Sequence, residues 1–266
     1  MNFRILAAPV RPHGRVVALM AATAFSAALL VPAAQAQQPA LDTPAGKAAI
    51  EQIVRDYLLA HPEVLVESLT AFQERQEAAQ AEAQRGALVS RQEELFRNPA
   101  SPVAGNPQGD VTLVEFIDYR CGYCKKINPE LEALLKEDGN IRFILKEFPI
   151  LTEESQLAAR FAVAVQQIAG PDAYKKTHDA LMESRGPVTL ESLKTLAGGV
   201  GVDADAVISR MNTEEVSAVL RKNHQLAEQM RIMGTPTFII EGEMLRGIPA
   251  QGLGPVIEQI RAAKQG

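Results

Sequence analysis

Apolar and polar positions divide the chain into segments with two distinct periods. The run Val111-Thr-Leu-Val-Glu-Phe-Ile is β-branched and apolar, as a buried strand should be. After it Ile127, Leu131, Leu134 and Leu135 recur at helical spacing, and Ile141-Arg-Phe-Ile-Leu-Lys reads as a second strand. Glu154 to Ile168 predicts an alanine-rich amphipathic helix ended by Gly170-Pro171. Further helices are expected at Tyr174 to Met182, Leu190 to Ala197, Ala204 to Met211 and Glu214 to Arg231. Gly198-Gly199-Val200-Gly201 reads as a plain turn, because no strand precedes it and no G-K-[ST] follows. Thr237 to Ile240 and Met244 to Arg246 flank Glu241-Gly242-Glu243 as a hairpin, and a last helix runs from about Leu253 to Ala263.

Upstream, Thr43 to Ala60 forms an amphipathic pattern with Ile50, Ile53, Val54, Tyr57 and Leu58 on one face, and His61-Pro62 breaks it. A second helix is expected from Pro62 to about Phe96, carrying Leu65, Leu69, Phe72, Gln76, Ala79 and Ala83 at spacings of four and three. Two helices with so little apolar surface cannot bury a core alone, so they must pack on the following domain or on copies of themselves. Asn98 to Gly109, rich in Pro, Gly and Asn, reads as the boundary loop.

The first residues follow another pattern. Met1 to Arg15 carries Arg4, Arg11 and Arg15 and no acid, then come the apolar run Val16 to Val31 and Ala34-Gln35-Ala36. That order predicts a secretory signal over residues 1–36, since about 16 apolar residues fall short of the ~20 that span a bilayer. Cleavage near Gln37 would remove three arginines and take the formal charge from -5 to -8. Such a balance gives no reason to expect a nucleic-acid partner. The product should be exported and, in a Gram-negative cell, periplasmic, where a cysteine pair can be oxidised.

Composition adds one decisive count. The chain has two cysteines, both in Cys121-Gly122-Tyr123-Cys124 at the predicted strand-to-helix junction. A zinc site would need two more ligands, and after export only His61, His178 and His224 remain, none closely spaced. A structural disulfide here would close a loop too short to constrain much chain entropy. A redox pair accounts for the strand, the helix start, the spacing and the signal together. Near a helix N-terminus the positive end of the macrodipole lowers a thiol pKa. Lys125 and Lys126 read as a solvated rim, whereas Arg120, next to the sulfur, is a candidate for tuning its pKa.

Glu115-Phe-Ile-Asp-Tyr-Arg-Cys-Gly-Tyr-Cys resembles the active-site segment of DsbA-like thiol:disulfide oxidoreductases, and Gly234-Thr235-Pro236-Thr237-Phe238 is similar to the cis-proline loop of thioredoxin folds. The run from Ile50 to Leu65 resembles the N-terminal segment of ScsC-type (suppressor of copper sensitivity) proteins. The resemblance implies an α/β thioredoxin fold with a helical insertion at about 150–231, preceded by an α-helical segment. The domains would be 37–97 for oligomerisation and linkage and 98–266 for catalysis. Cys121 would be the exposed nucleophile and Cys124 the buried resolving thiol, with Gly122 and Tyr123 between them. Pro236 would be cis, with the Thr235 backbone pairing with substrate. Glu115 would assist proton transfer at Cys124, with Lys146 as its partner on the neighbouring strand.

The family's strong oxidases carry Pro-His between the cysteines and Val before the cis-proline, whereas Gly-Tyr and Thr resemble the isomerases. A disulfide isomerase or reductase is therefore expected, with a dithiol oxidase as the alternative. No cofactor beyond the Cys121-Cys124 redox disulfide is implied. The expected partners are exported proteins with cysteines, a membrane-bound redox partner and further copies of the chain, a trimer, joined through residues 43–97. A copper(I) carrier using Cys121 and Cys124 as soft ligands is the reading from a different class.

Overall fold

The computed structural model describes residues 43–265, and the expected signal over 1–36 lies outside them. The chain divides into two units between Leu65 and Val66. In the first, α1 (Pro44–Ala60) starts where the Thr43 side chain accepts from the Gly46 N–H at 3.1 Å and Pro44 supplies a preset φ. Its apolar stripe stays open to solvent, with Ile53 67% and Tyr57 54% exposed. α2 (Pro62–Ser90) begins at the expected break and runs on into the second unit. Among the described residues, no helix is long and apolar enough to cross a membrane.

The expected single helix to Phe96 ends at Ser90 and restarts as α3 (Gln92–Phe96). The interruption lets Leu88 and Leu95 pack with Val114, Phe116, Ile144 and Ile239 against the sheet. Packing thus continues across the expected domain boundary at residue 98.

The sheet has the order β1-β3-β2-β4-β5, with β1 Val103–Gly105, β2 Val111–Ile117, β3 Ile141–Glu147, β4 Thr237–Ile240 and β5 Glu243–Arg246. β2 and β3 are parallel, joined by α4 (Gly122–Asp138), and every other pairing is antiparallel. The hairpin between β4 and β5 turns at Glu241 and Gly242, both at positive φ, the geometry that matches strand twist. β1 lies in the stretch expected to be a boundary loop. Its three residues form a strand because β3 offers an open edge for Val103↔Ile144 and Ala104↔Phe143, which local sequence does not encode.

α5 (Glu153–Glu183) opens with a Thr152/Ser155 capping box and bends at Gly170, φ 80°, so the expected stop at Gly170-Pro171 is a kink between two helical stretches. α6 (Leu190–Val200), α7 (Ala204–Met211) and α8 (Glu214–Gln229) complete the insertion, and α9 (Leu253–Gln265) closes the chain. The expected turn at Gly198-Gly199 is the last turn of α6, which Gly201 ends in the left-handed conformation.

Alternation sorts β2 and β3 into two faces. Leu113, Phe143 and Leu145 pack with the cysteines, α4 and α5, while Val114, Phe116 and Ile144 meet α3 and α8. Lys146 lies beside Phe116 in the register and so points to the second face. There its fully buried ammonium donates to the Glu94 carbonyl at 2.6 Å and the Ser101 hydroxyl at 2.7 Å. Because Leu95 joins α3 to that cluster with no exposed surface, Leu95→Ala is expected to lower unfolding free energy by ~2–5 kcal/mol, measured by denaturant titration.

Candidate active site

Cys121 stands at the N-cap of α4, and its carbonyl accepts the first-turn bond from the Lys125 N–H at 3.1 Å. Its position is set by Asp118, a buried carboxylate just past β2. The Asp118 carbonyl accepts from the Cys121 N–H at 3.0 Å, and Oδ1 accepts from the Arg120 N–H at 2.7 Å. Oδ2 accepts from the Ile150 and Leu151 N–H groups at 2.9 and 3.1 Å. One side chain thereby ties the dithiol turn to the β3–α5 connection.

The Cys121 thiol donates to the Thr235 carbonyl at 3.2 Å, and the Thr235-Pro236 bond is cis. The expected exposure of Cys121 is corrected: the residue is only 5% exposed because the Thr235 loop covers it, while Cys124 is fully buried. Tyr123 between them is 67% exposed. A hydrogen bond from Cys124 is the main influence bringing the Cys121 pKa down to about 5. Burial opposes it, and Thr235 and the Cys124 and Tyr123 N–H groups add support. The same thiol pair raises Cys124, together with burial and the charge of Glu115.

Glu115 sits on the dithiol face of β2 between Leu145 and Phe238 in the register. Burial is the first cause holding it well above the usual carboxyl range, followed by the negative charge of Cys121. The pairing with Lys146 does not form. Lys146 neighbours Phe116, one residue out of step with Glu115, so the two side chains leave the sheet on opposite faces. Arg120 does not reach the sulfur. Its Nε pairs with Glu154 Oε2 at 3.0 Å, and Nη1 donates to the Gly186 carbonyl at 2.9 Å.

A second buried carboxyl, unforeseen from sequence, lies on the same face. Glu147 Oε1 accepts from the hydroxyls of Tyr119 at 2.8 Å and Tyr174 at 2.6 Å. His178 closes the cluster, with Nδ1 3.2 Å from the Tyr119 oxygen and Nε2 3.3 Å from Asn128 Oδ1. Burial pushes the Glu147 pKa up to about 8, and burial with the charge of Lys175 takes His178 down to about 3, so the imidazole is neutral. One sequence signal could have found Glu147: it continues the inward series Ile141, Phe143, Leu145 by the period of a strand. His178 also nears Glu132 and Asp179, but Lys175 Nζ already pairs with both carboxylates, at 3.0 and 2.6 Å.

A thioredoxin-type sheet, a helix opening on a C-x-x-C pair and a cis-proline loop facing the first sulfur define a dithiol oxidoreductase domain. The DSBA-like thioredoxin domain family model matches residues 112–252, and the chain belongs to that family of thiol:disulfide oxidoreductases. The Copper resistance protein ScsC N-terminal domain model matches residues 47–79. A thioredoxin-like oxidoreductase from Silicibacter pomeroyi DSS-3 superimposes with a TM-score of 0.60 at 34% identity, covering 65% of this chain and 98% of the other. A linker-deletion mutant of Proteus mirabilis ScsC gives 0.63 at 25%, covering 85% and 99%. The thiol:disulfide interchange protein DsbA of Burkholderia cepacia is 25% identical over 185 residues, which are 64% of this chain and 84% of that protein. The chain spans only 22% of the length of another curated relative, a Na(+)/H(+) antiporter NhaA of Salinispora arenicola, at 27% identity.

Two outcomes follow from this geometry. Iodoacetamide labelling of the reduced protein should be rapid with a midpoint near pH 5 at Cys121 and negligible at Cys124 in the folded state, as read by peptide mass mapping. The folded-state pKa of Glu147, about 8, exceeds its ordinary 4.5, so the folded protein holds that proton more tightly. The stability this contributes is fully present below about pH 4.5 and is lost as pH rises through 8. Denaturant titrations should show Glu147→Gln losing that slope, a difference of several kcal/mol across the window.

Proposed function

We propose that this chain is a periplasmic thiol:disulfide interchange protein that acts as a disulfide isomerase or reductase on misoxidised exported proteins. The observation that carries the reading is the inequality of the two thiols: Cys121 ionises near pH 5 under the cis-proline loop, and Cys124, fully buried, keeps its proton. The Cys121 thiolate attacks a substrate disulfide, whose S–S bond breaks as the distal sulfur leaves with the electron pair and takes a proton from water. The mixed disulfide is resolved either by another substrate thiol, which is isomerisation, or by Cys124, which is reduction and leaves Cys121-Cys124 oxidised.

Glu115 fits the second step. The Cys121 charge that adds to the effect of burial disappears in the mixed disulfide, so Glu115 ionises more readily there and, once its proton has passed to water, can accept the Cys124 proton. Pro236 and the Thr235 backbone border a cleft of about 510 Å³ with Tyr123 and Ile248, suited to an extended substrate segment. Return to the dithiol requires two electrons and two protons, and a membrane-bound redox partner is the proposed electron donor.

The open apolar stripe of α1 and the exposed Val66, Leu69 and Phe72 of α2 support assembly of copies, a trimer, through residues 43–97. Several active sites on one particle present a bound substrate with the next thiolate at high effective concentration. A second reading, dithiol oxidase, is favoured by the low Cys121 pKa, which stabilises the reduced form and lies between the ~7 of thioredoxin and the ~3.5 of DsbA. A third, copper(I) carriage on the two thiolates, rests on the similarity of residues 47–79 to the N-terminal domain of the copper resistance protein ScsC and would give stoichiometric binding without exchange.

Reactivation of a scrambled multi-disulfide protein tests the proposal. The chain from residue 37 should restore activity and scatter light as an oligomer, and Cys121→Ser should abolish reactivation. Deleting 37–79, which spares Leu88 and Leu95, should give a monomer with unscrambling reduced roughly tenfold. Fast oxidation of reduced substrate with negligible unscrambling would select the oxidase instead.

A further inference from the structure

A second cleft, of about 650 Å³, opens beside the nucleophile on another face of α4, between the first turn of that helix and the end of α5. Its lining is unusual for an acidic chain of formal charge -5: Arg120, Lys125, Lys126 and Arg185 surround it, with Glu183 as the one acid among the lining residues. Two of the cations are committed. Arg120 pairs with Glu154, and the Lys125 ammonium donates to the carbonyls of Leu181, Met182 and Ser184 at the end of α5. Lys126 and Arg185 are exposed, and neither has an ion pair among the described residues.

The positive charge is concentrated enough to act on its own members. After desolvation, the charges of Arg120 and Arg185 are the next influences pushing the Lys125 pKa down. Two uncommitted cations therefore stand in an already repulsive group, and an incoming anion would relieve that repulsion as well as pair with them. Lys126 also lines the cleft beside Pro236, so the two clefts meet at its side chain. A polypeptide whose cysteine lies at Cys121 and whose one flank follows the Thr235 backbone would carry its other flank toward the basic cleft.

We propose that the basic cleft receives an acidic segment flanking the reacting cysteine of a protein substrate, with Lys126 and Arg185 as the specificity-determining residues. This rests on the thiol-exchange reading and adds the chemistry of the preferred substrate. The cleft at Pro236, where Lys126 and Glu130 carry opposite charges, would then hold substrate mainly along its backbone, while the basic one ranks substrates by charge near the cysteine.

The test uses the full chain from residue 37 carrying Cys124→Ser, so that the mixed disulfide is trapped. Two single-cysteine peptides, one flanked on both sides by aspartates and one by asparagines, are each supplied as the disulfide with thionitrobenzoate. Cys121 attacks the peptide sulfur, the old S–S bond breaks, and coloured thionitrobenzoate leaves with the electron pair. At low salt the acidic peptide should react ~3–10-fold faster, as two partly exposed ion pairs allow. That ratio should fall to unity or invert in Lys126→Glu/Arg185→Glu and shrink in high salt. The Cys121 pKa of each variant, from thiolate absorbance, separates a change in nucleophile from a change in recognition. Equal rates for the two peptides, or a preference untouched by charge reversal, would overturn the proposal. Reaction with neither peptide would instead overturn the exchange reading beneath it.

Discussion

The negative charge on the Cys121 sulfur is the constraint to which the surrounding structure answers. A thiolate in a nearly enclosed position is opposed by desolvation, and at this site burial does oppose it. What outweighs burial is the hydrogen bond from Cys124, one helical turn on, assisted by Thr235 and by two backbone N–H groups of α4. One interaction therefore does two things: it makes Cys121 acidic and Cys124 reluctant to ionise. The placement of those donors depends in turn on Asp118, whose carboxylate fixes the turn before the helix, while the Thr235 loop closes over the sulfur and its carbonyl accepts from the neutral thiol.

Around that charge the dithiol face of the sheet carries two carboxyls, and burial biases both toward the neutral form. Neutral acids there avoid like-charge repulsion with the thiolate while leaving protons within the core. Their settings differ. Glu115 responds directly to the charge of Cys121, whereas Glu147 is held by two tyrosine hydroxyls in a cluster that ends at Asn128 on α4.

Much of this was legible in the sequence where the signal is local. The cysteine pair, the strand before it, the helix after it, the Gly-Thr-Pro-Thr-Phe loop and the hairpin each lie in a few consecutive residues, and the structure brings them together. What could not be read depended on partners far along the chain. Val103-Ala-Gly is a strand only because β3 has an edge to pair with, and Gly198 and Gly199 are helical because the Thr189/Ser192 capping box and Gly201 fix both ends of α6. The placement of Lys146 turned on the register of β2 against β3, and Cys121 was covered by a loop more than a hundred residues away. Arg120 was diverted to Glu154, a residue of the insertion.

Lys146 and Glu147 are consecutive residues of β3, one basic and one acidic, each buried on its own face in a dedicated set of hydrogen bonds. A slip of one position would turn the ammonium toward the reactive sulfurs and thrust the carboxyl among Phe116, Phe148 and Leu95, where none of its donors could follow. Apolar strands forgive such errors, since one aliphatic side chain replaces another. Here the pair acts as a key cut on both edges, and only one alignment of β3 lets both groups find their locks.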